Sequence, residues 1–317
     1  MVQVSIVFAT YQRGELLRKT LDGFMNLDPC GFEYEIIVVD NACEEKVKNL
    51  VCSYRDRLPV HYFAEATAGK NAALISGMRH TKGDILVFTD DDVIVQPDWL
   101  NKLVEGINRL PQYDLFGGKI LPHLPEGVND KYELLQRDTS FIKSAYVIAN
   151  WELPEGPIRS GHIWGPNMAV RRRVFAAGIS FDPNIGPNGS NYIMGSDTEF
   201  SNRAAAQGFK CAYIPAAVVY HQIRQEQLSL TWLAGRAFRW GRGEVWRRPI
   251  NSRLMIFGAP FYLYRRYVFE FFTYAFASTL NRSKYIESLI AFNITKGVFY
   301  QLIANWKGKN EKTSNIL

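Results

Sequence analysis

Three apolar runs in the first hundred residues each stop abruptly at a polar cluster. Val4, Ile6 and Phe8 lead into Thr10 to Arg13, Glu35-Ile36-Ile37-Val38-Val39 ends at Asp40-Asn41, and Ile85-Leu86-Val87-Phe88 runs into Asp90-Asp91-Asp92. Between the first two, Leu16, Leu17, Thr20, Leu21 and Phe24 recur at helical spacing. Strand, helix, strand in that order predicts a right-handed parallel βαβ unit. In open α/β sheets ligands collect at the carboxyl ends of the strands, so the three polar clusters are expected along one edge. A strand over 2–9, a short strand near 60–64 and a helix over about 70–81 fill in this half. A further helix starts at Pro97, with Leu100, Leu103, Val104, Ile107 and Leu110 on one buried face.

From about 112 to 165 the pattern weakens into loops bearing Pro122, Pro125, Pro154 and Pro157, an expected excursion over the active-site side. Order returns at Gly165 to Val170 and at Ala212 to Tyr220. This organisation predicts an α/β domain over 1–228, with a change of pattern at about 110, and a helical extension over 229–317. Residues 236–296 carry 11 Arg or Lys against 3 Glu, among many aromatics. Tyr267 to Leu280 is weakly charged, but spanning a bilayer takes about 20 apolar residues, so this stretch is too short and too polar to cross. A basic aromatic element on a membrane surface and a helical cap packed on the catalytic domain are the two readings.

The hydrophobic fraction of 47% is that of a packed, not a disordered, chain. A net charge of +6 favours an anionic partner without choosing one. Nucleic acid is not expected, because the basic residues concentrate in the aromatic tail and no recognition motif accompanies them. Cys30, Cys43, Cys52 and Cys211 have neither zinc-ligand nor disulfide-framework spacing. No signal-peptide pattern is read at Met1, so a cytoplasmic location, at the inner face of the membrane, is expected.

The strongest chemical signal is Thr89-Asp90-Asp91-Asp92-Val93. Three carboxylates crowded at a strand end repel one another unless a cation joins them. Hard Mg²⁺ or Mn²⁺, which takes one or two carboxylates and completes its shell with phosphate and water, fits such a cluster. The alternative is a solvated acidic turn capping the next helix.

Five segments in order resemble the family 2 glycosyltransferases with the nucleotide-diphospho-sugar (GT-A) fold: Val7 to Arg13, Ile37 to Asn41, Ala68-Gly69-Lys70-Asn71 to Leu74, the Asp-x-Asp at Asp90 and Asp92, and Gly195-Ser196-Asp197-Thr198-Glu199-Phe200. The resemblance spans roughly residues 2–225 and implies that 1–228 is the catalytic domain, with a nucleotide-binding half at about 1–110 and an acceptor half at about 111–228. It implies a Rossmann-like mixed sheet flanked by helices, and an enzyme moving a sugar from a nucleotide diphosphate, UDP first with GDP and dTDP as alternatives, to a hydroxyl of a glycan or lipid-linked acceptor. It further implies Thr10, Arg13 and Asp40 around base and ribose, Gly69 and Lys70 near the nucleotide, Asp90 at ribose or metal, Asp92 on the metal, and Asp91 assisting or turned away. His221 resembles a histidine approaching the metal or diphosphate. Trp164 and Asn167 fall in a segment near donor sugar and acceptor, and Arg236 to Arg242 resembles an Arg-Trp element beside the acceptor.

Asp197 is the expected base of an inverting transfer. An aspartate of ordinary pKa about 3.9 cannot pre-ionise an alcohol, so it takes the proton as the new bond forms. Ser196 departs from the family, where an acidic residue usually precedes the base; that is the one feature favouring an impaired nucleotide-sugar binder. A nucleotidyltransferase on a similar scaffold is the other alternative, but Ala9 to Arg13 lacks the glycine-rich basic loop it would need.

Overall fold

A computed structural model describes residues 3–128, 132–188, 192–247, 250, 252–277, 279 and 281–314. Val2 of the expected first strand, Leu280 at the end of the aromatic stretch and residues 315–317 of the extension lie outside them. The chain forms two units: one of 1–190 with 196–223, the other of 191–195 with 224–317.

The first unit begins β1 (Val4–Thr10), α1 (Gly14–Met25), β2 (Tyr34–Asp40), α2 (Glu45–Cys52), β3 (Val60–Ala64), α3 (Lys70–Met78) and β4 (Ile85–Phe88). It continues with β5 (Val93–Val95), α4 (Trp99–Arg109), β6 (Leu115–His123), α5 (Ser140–Tyr146), β7 (Gly156–Pro157), β8 (Met168–Arg171) and α6 (Arg172–Ala176). It ends with α7 (Ser196–Ala206) and β9 (Cys211–Gln222). The strands form one mixed sheet in the order β3-β2-β1-β4-β8-β6-β9-β5, with β7 paired to β9. β3, β2, β1 and β4 run parallel, while β8 is antiparallel to β4 and β6.

β1 and β2 read as unbroken apolar runs because helices cover both faces of the parallel sheet. Ile6 and Phe8 join Leu17, Phe24 and Trp99 on one side, while Val7 joins Val39, Leu74 and Phe88 on the other. The stretch expected as loop over 112–165 contains the nine-residue β6. It escapes periodicity because its first residues are buried regardless of side and because its register on β9 shifts between Gly118 and Lys119. At that bulge the side chain of Asn167 fills the space a Cβ on Gly118 would occupy.

The second unit holds the short segment around Tyr192 to Gly195, α8 (Leu230–Arg247), a hairpin of β10 (Met255–Ile256) and β11 (Ala259–Pro260), α9 (Phe261–Ala277) and α10 (Arg282–Ser314). Gly241 of α8 and Gly297 of α10 let these helices approach closely, since a Cβ on either would strike the other helix's backbone at Ile294 or Phe238. Tyr264 (edge-on), Tyr267 (tilted) and Tyr274 (stacked) of α9 pack against Phe292 and Phe299 of α10. Among the described residues no helix is long and apolar enough to cross a membrane. All four cysteines are free.

Candidate active site

The first unit gathers its charged side chains where β1, β2 and β4 end. After β4 the three aspartates diverge. Asp90 stays partly exposed and pairs with the Lys70 ammonium. Asp91 turns inward, accepting from Thr10 Oγ1 at 2.8 Å and from Arg13 Nη1 at 3.1 Å, while its carbonyl accepts from Thr20 Oγ1 at 3.0 Å. Asp92 is also buried, and Arg13 Nη1 lies 3.2 Å from its Oδ2. The antiparallel pairing of β5 with β9 sets His221 opposite Val93 and brings Nε2 to 3.7 Å from Asp92 Oδ1.

Crowding has an electrostatic signature. Burial, reinforced by the Asp92 charge, pushes the Asp91 carboxyl up from 3.8 to about 6. Burial opposes the charges on Arg13 and Lys70, yet their carboxylate neighbours more than offset it and raise both. For Lys70 those neighbours are Asp90, then Asp197 and Asp92.

Asp197 sits in the first turn of α7. Its Oδ2 accepts from the Gly165 backbone N–H at 2.9 Å and its Oδ1 from the Thr198 N–H at 2.9 Å. A Cβ on Gly165 would lie 3.7 Å from Asp197 Oδ2 and 4.0 Å from Lys70 Nζ, which puts the Gly165 backbone, Asp197 and Lys70 around one point. Gly69, at φ +125°, donates its N–H to Asn41 Oδ1 at 2.8 Å, so the second polar cluster fixes the start of α3 and thereby Lys70.

Not every expected residue presents its side chain to this edge. Asp40 is fully buried and accepts from the N–H groups of Ala42 and Glu44 and from the Tyr62 hydroxyl, at 2.9, 2.7 and 3.1 Å. Asn167 is also fully buried: it accepts from Trp99 Nε1 at 3.0 Å and donates to the carbonyls of Lys119 and Ala217, each at 2.9 Å. Its amide joins the β6/β9 bulge to α4. Trp164 is half-buried, edge-on to Trp151 at 5.0 Å between centroids, with Nε1 donating to the Gly161 carbonyl.

Sequence reasoning did not single out Thr20, whose hydroxyl holds the Asp91 carbonyl and accepts from the Val93 N–H at 3.2 Å. A threonine on the buried face of an amphipathic helix, among Leu17, Leu21 and Phe24, was the available signal. Gly165 stood out for close backbone approach, but its N–H contact with Asp197 depends on pairing between distant segments.

Whether these residues suit a divalent cation can be judged from charge and spacing. Asp90, Asp91, Asp92 and Asp197 crowd together, with Lys70 and Arg13 as the cations beside them among the described residues, so carboxylates outnumber these two. Asp92 Oδ1 and His221 Nε2, at 3.7 Å, are too far apart to hydrogen-bond but near the separation of adjacent ligands on one ion, about 3 Å. Among the described residues no three His, Cys, Asp or Glu side chains converge as a cage. Two protein ligands, with the rest of the shell from phosphate and water, suit Mg²⁺ or Mn²⁺.

A sequence model described as glycosyl transferase family 2 matches residues 5–175, just over half of the chain. The succinoglycan biosynthesis protein ExoM of Rhizobium meliloti is 27% identical over 245 residues, 76% of this chain and 74% of that protein. The glucosyl-dolichyl phosphate glucuronosyltransferase of Haloferax volcanii is 24% identical over 243 residues, 75% of this chain and 74% of its own. Among solved structures, the mannosyltransferase PcManGT from Pyrobaculum calidifontis, in complex with GDP-Man and Mn²⁺, superimposes with a TM-score of 0.56 at 15% identity, covering 99% of this chain and 80% of that one. The shared architecture is the GT-A fold.

Proposed function

The chain belongs to glycosyl transferase family 2, and from that premise we propose that it is an inverting, divalent-metal-dependent transferase moving a sugar from a nucleotide diphosphate to a hydroxyl in glycan, polysaccharide or glycolipid synthesis. The observation that carries this reading is Asp197: a carboxylate oriented by two backbone N–H groups, with the Asp90-paired Lys70 beside it.

The acceptor oxygen attacks the anomeric carbon on the face opposite the nucleotide diphosphate. The new carbon–oxygen bond forms as the bond to the diphosphate breaks, and the hydroxyl proton passes to Asp197. Because an aspartate is a weak base, proton transfer accompanies attack. Gly165 and Thr198 keep the two carboxylate oxygens aimed as the proton arrives.

Lys70, whose raised pKa keeps it charged, gives up Asp90 for the diphosphate when the donor enters, which frees Asp90 for the ribose or the metal. Asp92 and His221 are the residues that would hold Mg²⁺ or Mn²⁺. When bound, that ion neutralises charge developing on the departing diphosphate. Arg13, with 42% of its side chain exposed, reaches the nucleotide from its Asp91 and Asp92 anchor. Thr10 and Asp40 shape the nucleotide wall through the loops they hold, and Trp164 turns its open side toward the sugar.

UDP is the leading nucleotide; PcManGT, solved with GDP-Man, makes GDP-sugars the first competitors. The acceptor is a glycan or is lipid-linked, and the dolichyl phosphate in the name of one relative supports the second. The C-terminal unit supplies a peripheral contact with the inner face of the cell membrane through residues 236–296.

The test is a panel of UDP-, GDP- and dTDP-sugars with Mn²⁺ or Mg²⁺, read as released nucleotide for the wild type and Asp92→Ala. Metal-dependent release from one donor, lost in Asp92→Ala, is the expected result. Absence of both release and calorimetric binding across the panel would overturn the reading.

A further inference from the structure

An amphipathic helix on a water-soluble unit normally turns its polar side outward. On α9 the arrangement is inverted. Tyr262, Phe269, Phe272 and Phe276 recur at helical spacing and are 53%, 70%, 53% and 66% exposed. Leu263 and Ala277, on the opposite side, are buried, and Tyr267 and Tyr274 pack on α10. Just before α9, the β10–β11 hairpin and the residue leading into it expose Leu254, Met255 and, in the turn, Phe257 at 54%, 43% and 66%. Phe257 occupies a left-handed conformation with φ +45°, costly for a bulky side chain, at the tip of a two-residue turn.

The charges within this surface have one sign. Arg253, Arg265 and Arg266 are exposed, while the sole acid of α9, Glu270, turns inward and accepts from Arg266 at 2.8 Å. By contrast, the α8 arginines are engaged inside their unit: Arg236 with the Tyr192 hydroxyl, Arg242 with Gln301, and Arg247 with Glu244. Among the described residues the exposed aromatic surface is therefore carried by the β10–β11 tip and α9, not by α8.

A second copy of the chain fits this surface poorly. Packing this face on a copy of itself would bring together the exposed arginines of both copies with no outward acid of α9 to meet them. An anionic bilayer surface fits both features: aromatic rings settle at the boundary between headgroups and acyl chains, and arginines meet lipid phosphates.

We propose that the outward face of α9 and the Leu254–Phe257 tip lie in the interface of an anionic phospholipid bilayer, with α9 parallel to the membrane plane. This deepens the peripheral-contact part of the proposed function and rests on that part, not on its chemistry. The tip inserts first and Phe269, Phe272 and Phe276 follow along one line, with Arg253 and Arg265 at the phosphates.

The experiment is flotation of the full chain with vesicles of equimolar phosphatidylcholine and phosphatidylglycerol, and with vesicles of phosphatidylcholine alone. Wild type is compared with the double variant Phe269→Ser/Phe272→Ser and with Arg265→Glu. Both variants alter exposed side chains, circular dichroism checks that each protein is folded, and light scattering compares its oligomeric state with that of the wild type. The expected result is flotation with the anionic vesicles, weakened about tenfold or more in the double variant and also weakened in Arg265→Glu. Equal flotation of wild type and double variant overturns the proposal. So does a wild type that ignores anionic vesicles, or one that dimerises through these residues. Donor hydrolysis without vesicles reports on the transferase chemistry alone, so the two readings fail separately.

Discussion

Replacing Asn167 by alanine separates a ligand contact from a framework role. Its side chain is fully buried and makes three hydrogen bonds, one accepted from Trp99 and two donated across the β6/β9 bulge. Each such bond contributes a net 0.5–1.5 kcal/mol or so, and stranding the Trp99 N–H without a partner costs about 1–3 kcal/mol. Together these give a destabilisation of roughly 3–5 kcal/mol, a large share of the roughly 5–15 kcal/mol that holds a typical domain. In calorimetry the transition of the sheet unit should fall by roughly 6–20 °C. Below that transition the KM for the donor should stay within about twofold of wild type, since no atom of Asn167 faces solvent. An unchanged transition with KM raised about tenfold would refute the reasoning and return Asn167 to the donor site.

Asp91 offers a pH test in chelator. Its folded pKa of about 6 lies above the ordinary 3.8, so between those values the folded state holds more protons and stability falls as pH rises. Asp91→Asn lacks that loss: its melting temperature relative to wild type should grow from about pH 4 to about pH 6, and a constant difference would contradict the assignment. His221→Ala should raise the Mn²⁺ concentration for half-maximal nucleotide release by about 10–100-fold, read from metal titrations that would otherwise superimpose. Lys70→Ala should weaken donor binding in calorimetry by about tenfold, the loss of one charge-assisted contact, and an unchanged Kd would remove Lys70 from the donor site.

Much of the first unit was legible because a parallel sheet covered on both faces leaves unbroken apolar runs, as in Ile36 to Val39 and Ile85 to Phe88. β6 was hidden although its first residues are likewise buried on both sides: Gly117, Gly118 and Pro122 interrupt its apolar run, and its bulge is set by Asn167, about fifty residues away. The polar clusters at the strand ends were visible; the partners of each side chain were not. Nothing local says that Asp91 turns toward Thr10 while Asp90 turns toward Lys70, or that Asp40 is used up by Ala42, Glu44 and Tyr62. Those choices follow from the close packing of α1 and α3 beside β1, and from the pairing of β5 with β9. The grouping of residues 191–195 with the C-terminal unit is likewise unreadable from composition, because it depends on Tyr192 meeting Arg236 and Arg239 on α8. The inverted α9 illustrates a different limit: its aromatics were plain in the sequence, but which of them face outward depends on Phe292 and Phe299 of α10.

The central claim is that Asp197 serves the chemical step while Asp92, Lys70 and their neighbours hold the donor. It is tested most directly by measuring donor affinity and turnover together for Asp197→Asn, with the active metal and donor. The account predicts a Kd within about threefold of wild type and turnover lower by about 10²–10⁴-fold, because asparagine keeps the carboxamide oxygen facing Gly165 but cannot take a proton. Retained turnover, or loss of donor binding in step with turnover, would contradict it.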